Sequence, residues 1–236
     1  MCKERLVFAH RGASLASFEN TMQAFERARV DGADGLEIDV QLSKDHVPIV
    51  IHDRELRRLA RRERLVDTLN IRSVKKVKLG AHWWERRFGS FKIPALVEVV
   101  HFCELHGLAL NVELKETVSE HPEQVGNIIR LLEPLEDVHI SSFDRTILEE
   151  VRACDPSIEI AQLLVKKQLN RQTLQSMTHA DVFHLNAVHW TPKRIALFES
   201  IGKPVRLYNV FGDEPIVERP HPLIIGWITD TPERFQ

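Results

Sequence analysis

The chain is 236 residues long, 43% apolar and 28% charged, a composition suited to one globular unit with a sizeable core. Lys and Arg number 32 against 34 Asp and Glu, a formal charge of −2, which argues against a protein whose main role is to coat nucleic acid. No run approaches the roughly 18 apolar residues that span a bilayer, so no membrane span is predicted.

Short apolar runs alternate with amphipathic segments along the whole chain. Strands are predicted at Leu6–His10, Leu36–Val40, Pro48–His52, Leu108–Leu114 and Val138–Ser141, then at Ile158–Leu163, Asp181–Leu185, Pro204–Tyr208 and Leu223–Ile228. Between them, Met22, Phe25 and Ala28 share a helical face behind a capping box of Asn20 and Gln23. Leu96, Val99, Val100 and Cys103 repeat that spacing, as do Ile128, Leu131, Leu132 and Leu135. Asp45-His46 lies between two short runs and marks a hairpin excursion. Without that extra strand, eight βα units remain. An open doubly wound sheet could use the same pattern, but the count fits a closed TIM (β/α)8 barrel better, as a single domain over residues 1–236. Thr231-Pro232-Glu233 starts a last helix that is cut short. The wall between the last and first strands is then thinly covered, which admits a homodimer.

The rhythm breaks between Arg54 and Lys92. This small insertion after the second strand region holds 13 Lys or Arg against 4 Asp or Glu and carries Trp83-Trp84. It is either a solvated face or a cap that steers an anionic substrate. Cys2, Cys103 and Cys154 are scattered without CxxC spacing, so reduced thiols in a cytoplasmic protein are expected, and Met1–His10 has no signal-peptide architecture.

No GxxxxGK[ST], GxGxxG, GxSxG or HExxH occurs. What remains is carboxylate and histidine at strand ends. In Leu36-Glu37-Ile38-Asp39-Val40 the two acids share one face and the apolar residues the other, so Glu37 and Asp39 point into the barrel. Asn111-Val112-Glu113-Leu114-Lys115 repeats the pattern. Acids at interior positions repel unless a cation neutralises them. An all-oxygen set suits Mg²⁺ or Ca²⁺; the alternative is a salt-bridge layer built with Arg11 and Lys115. Of the 12 histidines, His10 and His52 close strands beside this cluster and can divide general acid and base duties. His46 is expected in a turn, His101 and His106 on a helix, and His184 and His189 beside a strand end. His82, His121, His139, His179 and His221 are expected at the surface or in loops.

His10-Arg11-Gly12-Ala13-Ser14, Phe18-Glu19-Asn20-Thr21, Gly35-Leu36-Glu37-Ile38-Asp39-Val40 and Val50-Ile51-His52-Asp53 together resemble the glycerophosphodiester phosphodiesterases. Ile93-Pro94-Ala95-Leu96, Asn111 to Lys115, Ser142-Phe143-Asp144 and Ile228-Thr229-Asp230 extend the resemblance over nearly the whole chain. It implies a TIM barrel that uses Mg²⁺ or Ca²⁺ to release glycerol 3-phosphate from small glycerophosphodiesters such as glycerophosphocholine. Carried over by position, Glu37, Asp39 and Glu113 would bind the metal, and His10 and His52 would form the acid–base pair. Arg11 and Lys115 would hold the phosphate, with Phe143 and Tyr208 at the substrate. Phe18 replaces a family proline, His46 a glycine, and Tyr208-Asn209-Val210-Phe211 a Trp-Thr-Val-Asn segment, so the alcohol pocket departs most from the pattern. The other readings are a lysophospholipase D-type enzyme on this scaffold and a non-catalytic barrel that binds phosphodiesters.

Overall fold

A computed structural model describes residues 5–80, 82–83 and 89–235; Cys2 and Trp84, singled out above, lie outside the described residues. Eight parallel strands close on themselves: β1 (Leu6–His10), β2 (Gly35–Leu42), β4 (Ala109–Leu114), β5 (Val138–Ser142), β6 (Glu159–Leu163), β7 (Val182–Asn186), β8 (Val205–Tyr208) and β9 (Ile224–Thr229). β1 pairs with both β2 and β9, which completes the TIM barrel. The ninth strand, β3 (Pro48–Val50), is the predicted excursion. It runs antiparallel to the end of β2, with Val40 opposite Val50 and Leu42 opposite Pro48. The chain ends in the expected short turn, Pro232–Phe235.

Period-2 alternation sorts the strand residues. Leu36, Ile38, Val40, Leu110, Val112, Leu114, Ile140 and Ile160 face outward and pack under the helices Met22–Val30, Leu96–His106, Val125–Leu132 and Arg145–Cys154. Each such side chain contributes about 1.5–3 kcal/mol on burial, so this layer fixes which residues are left to point inward. The first helix is capped by Thr21, whose Oγ1 accepts from the Ala24 amide at 3.3 Å. The expected cap, Asn20, is instead buried with φ +53 and committed to the barrel interior.

That interior holds a polar layer below the strand ends, where branched apolar residues are usual. Phe8 meets the His139 ring edge-on at 5.1 Å, and His139 meets His184 the same way at 5.5 Å. The Arg206 guanidinium lies 5.7 Å from the Phe8 centroid and donates to Glu159 at 2.6 Å. His139 and His179 are therefore buried rather than superficial, and His184 sits within β7. The misassignment has a simple cause. A histidine inside an apolar run carries no sequence mark of which face it takes.

Burial, with Arg206 adding to it, pushes both His139 and His184 well below 6.5. A buried neutral histidine stabilises the fold fully above its unfolded pKa. That stabilisation is lost as pH falls below about 6.5, because only the unfolded state then takes up the proton, at up to about 1.4 kcal/mol per pH unit and group. Relative to wild type, His139→Leu is therefore expected to gain stability on going from pH 7.5 to pH 5. Urea midpoints at the two pH values measure this, and a pH-independent difference would contradict it.

The basic insertion is a packed layer of its own. Leu56, Leu59, Val66, Val74, Val77, Leu79 and Ile93 form a separate buried cluster against the barrel flank. Arg57, Arg61, Arg62 and Arg64 are exposed, as a solvated face requires. Arg58 differs, because it reaches back to the strand ends.

Candidate active site

The C-terminal ends of the strands enclose a cavity of about 390 Å³, within the range of small-molecule sites. Strand register builds its acidic wall. Glu37 pairs with Asn111 and Asp39 with Glu113, so the inward residues of β2 and β4 lie side by side. One carboxylate oxygen from each of Glu37, Asp39 and Glu113 falls within 4.8 Å of the others. Glu37 and Glu113 line the cavity, and Asp39 stands behind them, fully buried.

Arg11 and Lys115 share this cluster. The Lys115 ammonium donates to Glu113 Oε1 at 2.6 Å and lies 2.9 Å from Asp39 Oδ1. Arg11 Nε lies 3.0 Å from Asp39 Oδ2, and Asn20 Nδ2 donates to that same oxygen at 2.8 Å. The salt-bridge layer raised as an alternative is therefore present, yet it leaves the cluster short of positive charge. Asp39 Oδ1 has no aligned donor. Burial and the charge on Asp39 push Glu37 up to about 7. Burial and Asp39 also raise Glu113. Burial acts upward on Asp39 too, but Lys115 and Arg11 outweigh it and hold that carboxyl at about 2. Three carboxylates against two cations, one lone pair unfilled and two acids pushed up: this donor set fits a hard divalent cation.

Two histidines flank the acids. His10, at the end of β1, places Nδ1 2.7 Å from Asp230 Oδ1, and Ser14 Oγ donates to that oxygen at 2.7 Å. His52, just past β3, places Nδ1 2.6 Å from Asp53 Oδ1. Burial works against ionisation of Asp230 and Asp53, but their histidine and arginine neighbours and hydrogen bonds hold both low. Each is thus an ionised acceptor, and each imidazole must donate from Nδ1. Nε2 of both rings is left for other partners. That of His10 lies 4.0 Å from Glu37 Oε2. Burial pushes the His10 imidazole down, but Glu37 and Asp230 outweigh it, so its pKa lies above 6.5.

The turn after β1 needs unusual backbone. Arg11 and Gly12 have φ of +57 and +80, and a Cβ on Gly12 would lie 2.7 Å from the Ala24 carbonyl carbon. Only glycine fits there, and the tight turn lets the Arg11 amide donate to Glu37 Oε2 at 3.1 Å.

All nine predicted site residues converge here. Tyr208 lines the wall, and Phe143 lines the cavity while remaining 45% exposed. Sequence reasoning assigned no roles to the residues that hold them. Asp230 and Asp53 fix the histidines. Glu19 accepts from Arg11 Nη1 at 3.1 Å and from Arg58, whose Nε also donates to Asp53 Oδ2 at 2.6 Å. The continuous line Arg11–Glu19–Arg58–Asp53–His52 thus ties Arg11 to one of the two histidines. Of these, Asp53 and Asp230 had a usable signal, an acid beside a strand-end histidine and an acid closing the last strand. Arg58, inside a run of arginines, had none. His184 reaches the cavity with neither ring nitrogen hydrogen-bonded.

Comparison with known proteins agrees with this geometry. The glycerophosphoryl diester phosphodiesterase family matches residues 10–234. A glycerophosphodiester phosphodiesterase of Caldanaerobacter subterraneus subsp. tengcongensis is 36% identical over 161 residues, 67% of this chain and 66% of that protein. One of Bacillus altitudinis is 30% identical over 234 residues, 97% of this chain and 95% of its own length. Among solved structures, an Oleispira antarctica phosphodiesterase in complex with the product sn-glycerol-3-phosphate superposes with a TM-score of 0.87 at 23% identity, covering 98% of this chain and 95% of that one. A family match of this extent on a closed barrel identifies the chain as an enzyme of the glycerophosphoryl diester phosphodiesterase family.

Proposed function

We propose that the enzyme hydrolyses small glycerophosphodiesters, such as glycerophosphocholine, to sn-glycerol 3-phosphate and a free alcohol with the help of Mg²⁺ or Ca²⁺. The observation that carries this reading is the pair of imidazoles, each tied through Nδ1 to an ionised aspartate and left with Nε2 for proton transfer beside an acidic wall. Binding alone has no need of such a pair.

Glu37, Asp39 and Glu113 would hold the cation, which when bound supplies charge stabilisation to the phosphoryl oxygens. Arg11 and Lys115 bring positive charge for the phosphodiester anion. One imidazole takes the proton of the attacking hydroxyl through Nε2, and the other gives a proton to the departing alkoxide. Asp230 and Asp53 keep each ring in the tautomer that allows this. The barrel and its insertion would act as one domain. The free thiols of Cys103 and Cys154 suit a reducing, cytoplasmic setting.

One observation favours a second reading, lysophospholipids as substrates. Leu15, Phe143, Val165 and Val188, on the loops after β1, β5, β6 and β7, are exposed at the same end of the barrel as the cavity. A coupled assay for released glycerol 3-phosphate, with glycerophosphocholine, glycerophosphoethanolamine and acylated analogues side by side, tests both. Turnover of the deacylated diesters alone is expected. Faster turnover of the acylated ones would transfer the assignment to the second reading, and no turnover of either would remove both.

A further inference from the structure

We propose that the tip of the β2–β3 hairpin forms a second cation site, separate from the acidic wall, in which His46, His121 and Glu123 bind a divalent transition ion of the zinc type. Hairpin residues 43–47 meet the segment that follows β4 and Lys115. One ligand atom from each of the three residues lies within 4.8 Å of the others. The His46 and His121 rings approach at 4.5 Å with an interplanar angle of 81°, and His121 Nδ1 lies 3.3 Å from Glu123 Oε1. His46 and Glu123 are exposed and His121 is half-buried, so an ion can enter from solvent.

The donor chemistry differs from that of the active-site wall. Two imidazoles and one carboxylate suit zinc, nickel or copper, whereas three carboxylates suit magnesium or calcium. A further observation makes the cluster more than a chance meeting. His46 has φ +56, a conformation that glycine adopts freely and a Cβ residue does not. The turn therefore carries a strained histidine where glycine would be easiest. A bound ion would clamp the hairpin to residues 116–124, and β3 runs from that hairpin directly into Ile51 and His52.

The test compares wild type with His46→Gly, His121→Ala and Glu123→Gln, all in saturating Mg²⁺, using Zn²⁺ for affinity and Co²⁺ as an absorbing reporter. Wild type is expected to bind one transition ion more than His46→Gly or His121→Ala, and Glu123→Gln to bind it at least tenfold more weakly. Zn²⁺ a hundredfold above its dissociation constant should raise the wild-type Tm by about 5–10 °C, and that rise should vanish in both histidine variants. Without Zn²⁺, His46→Gly should melt no lower than wild type, since glycine relieves the turn, and basal hydrolysis should be unchanged. Any Zn²⁺ taken up by the acidic wall is common to all four proteins and cancels. Equal stoichiometry and equal Tm shifts across wild type and the histidine variants would overturn the proposal and leave the ring pair as a packing contact.

Discussion

His10→Ala and His52→Ala are each expected to lower kcat/KM for glycerophosphocholine by about 10²–10⁴-fold, the usual worth of a positioned acid or base. Both side chains lie at strand ends and are about one-third exposed, so truncation opens no large core cavity and the variants should fold. The supporting carboxylates give a sharper test. Asp230 raises the His10 pKa, so Asp230→Asn removes a charge and an acceptor that favour the imidazolium. The limb of the pH profile owed to His10 should then move to lower pH. The same substitution leaves the His52–Asp53 hydrogen bond intact. A double variant, His10→Ala with Asp230→Asn, should be hardly worse than His10→Ala alone, because the aspartate acts only through the ring. Near wild-type turnover in either alanine variant would falsify the acid–base assignment, and an Asp230→Asn effect undiminished in the His10→Ala background would give Asp230 a role of its own.

The barrel was legible because its signals are local. Nine apolar runs at the right spacing became nine strands, and even the antiparallel excursion was marked by Asp45-His46. The acids were legible for the same reason, since period-2 alternation on β2 and β4 puts Glu37, Asp39 and Glu113 on the inner face whatever the rest of the chain does. Apart from Asp53, which adjoins His52, the residues that went unread act over long sequence separations. Asp230 lies 220 positions from His10, and Glu19 and Arg58 are 39 apart. A local signal can mark Asp230 as an acid closing the last strand, but not which residue it partners, because that pairing exists only once the barrel closes. The capping position failed for a related reason. Asn20 has the chemistry of a helix cap, but Asp39 competes for its side chain and takes it at 2.8 Å, leaving Thr21 to cap the helix. His139 and His184 show the opposite limit. His139 was expected at the surface and His184 beside a strand end, and only the closed interior shows the two rings meeting edge-on, buried from solvent.

Exhaustive chelation is expected to abolish hydrolysis, with recovery on addition of Mg²⁺ or Ca²⁺, and the stability of the metal-free protein should report the same site independently of activity. Glu37 is the diagnostic residue. Its carboxyl is raised from 4.5 to about 7 by burial and by the neighbouring Asp39. A raised acid stabilises the fold fully below its unfolded pKa, and that contribution is lost as pH climbs through the folded value. From this group alone, metal-free protein should lose on the order of 3 kcal/mol between about pH 4.5 and pH 8. A cation in the cluster removes the penalty, so Mg²⁺ or Ca²⁺ should raise the Tm strongly at pH 8 and barely at pH 5, where the carboxyl is already protonated. Glu37→Gln copies the protonated state. It should lift the metal-free Tm at pH 8, flatten its pH dependence, remove most of the stabilisation by metal, and abolish turnover. A protein made more stable and inactive by one substitution is the signature of charges held together for a ligand. If hydrolysis instead survived chelation and Glu37→Gln left the pH dependence of the Tm unchanged, Lys115 and Arg11 would suffice to neutralise the acids, and the cluster would be the salt-bridge layer.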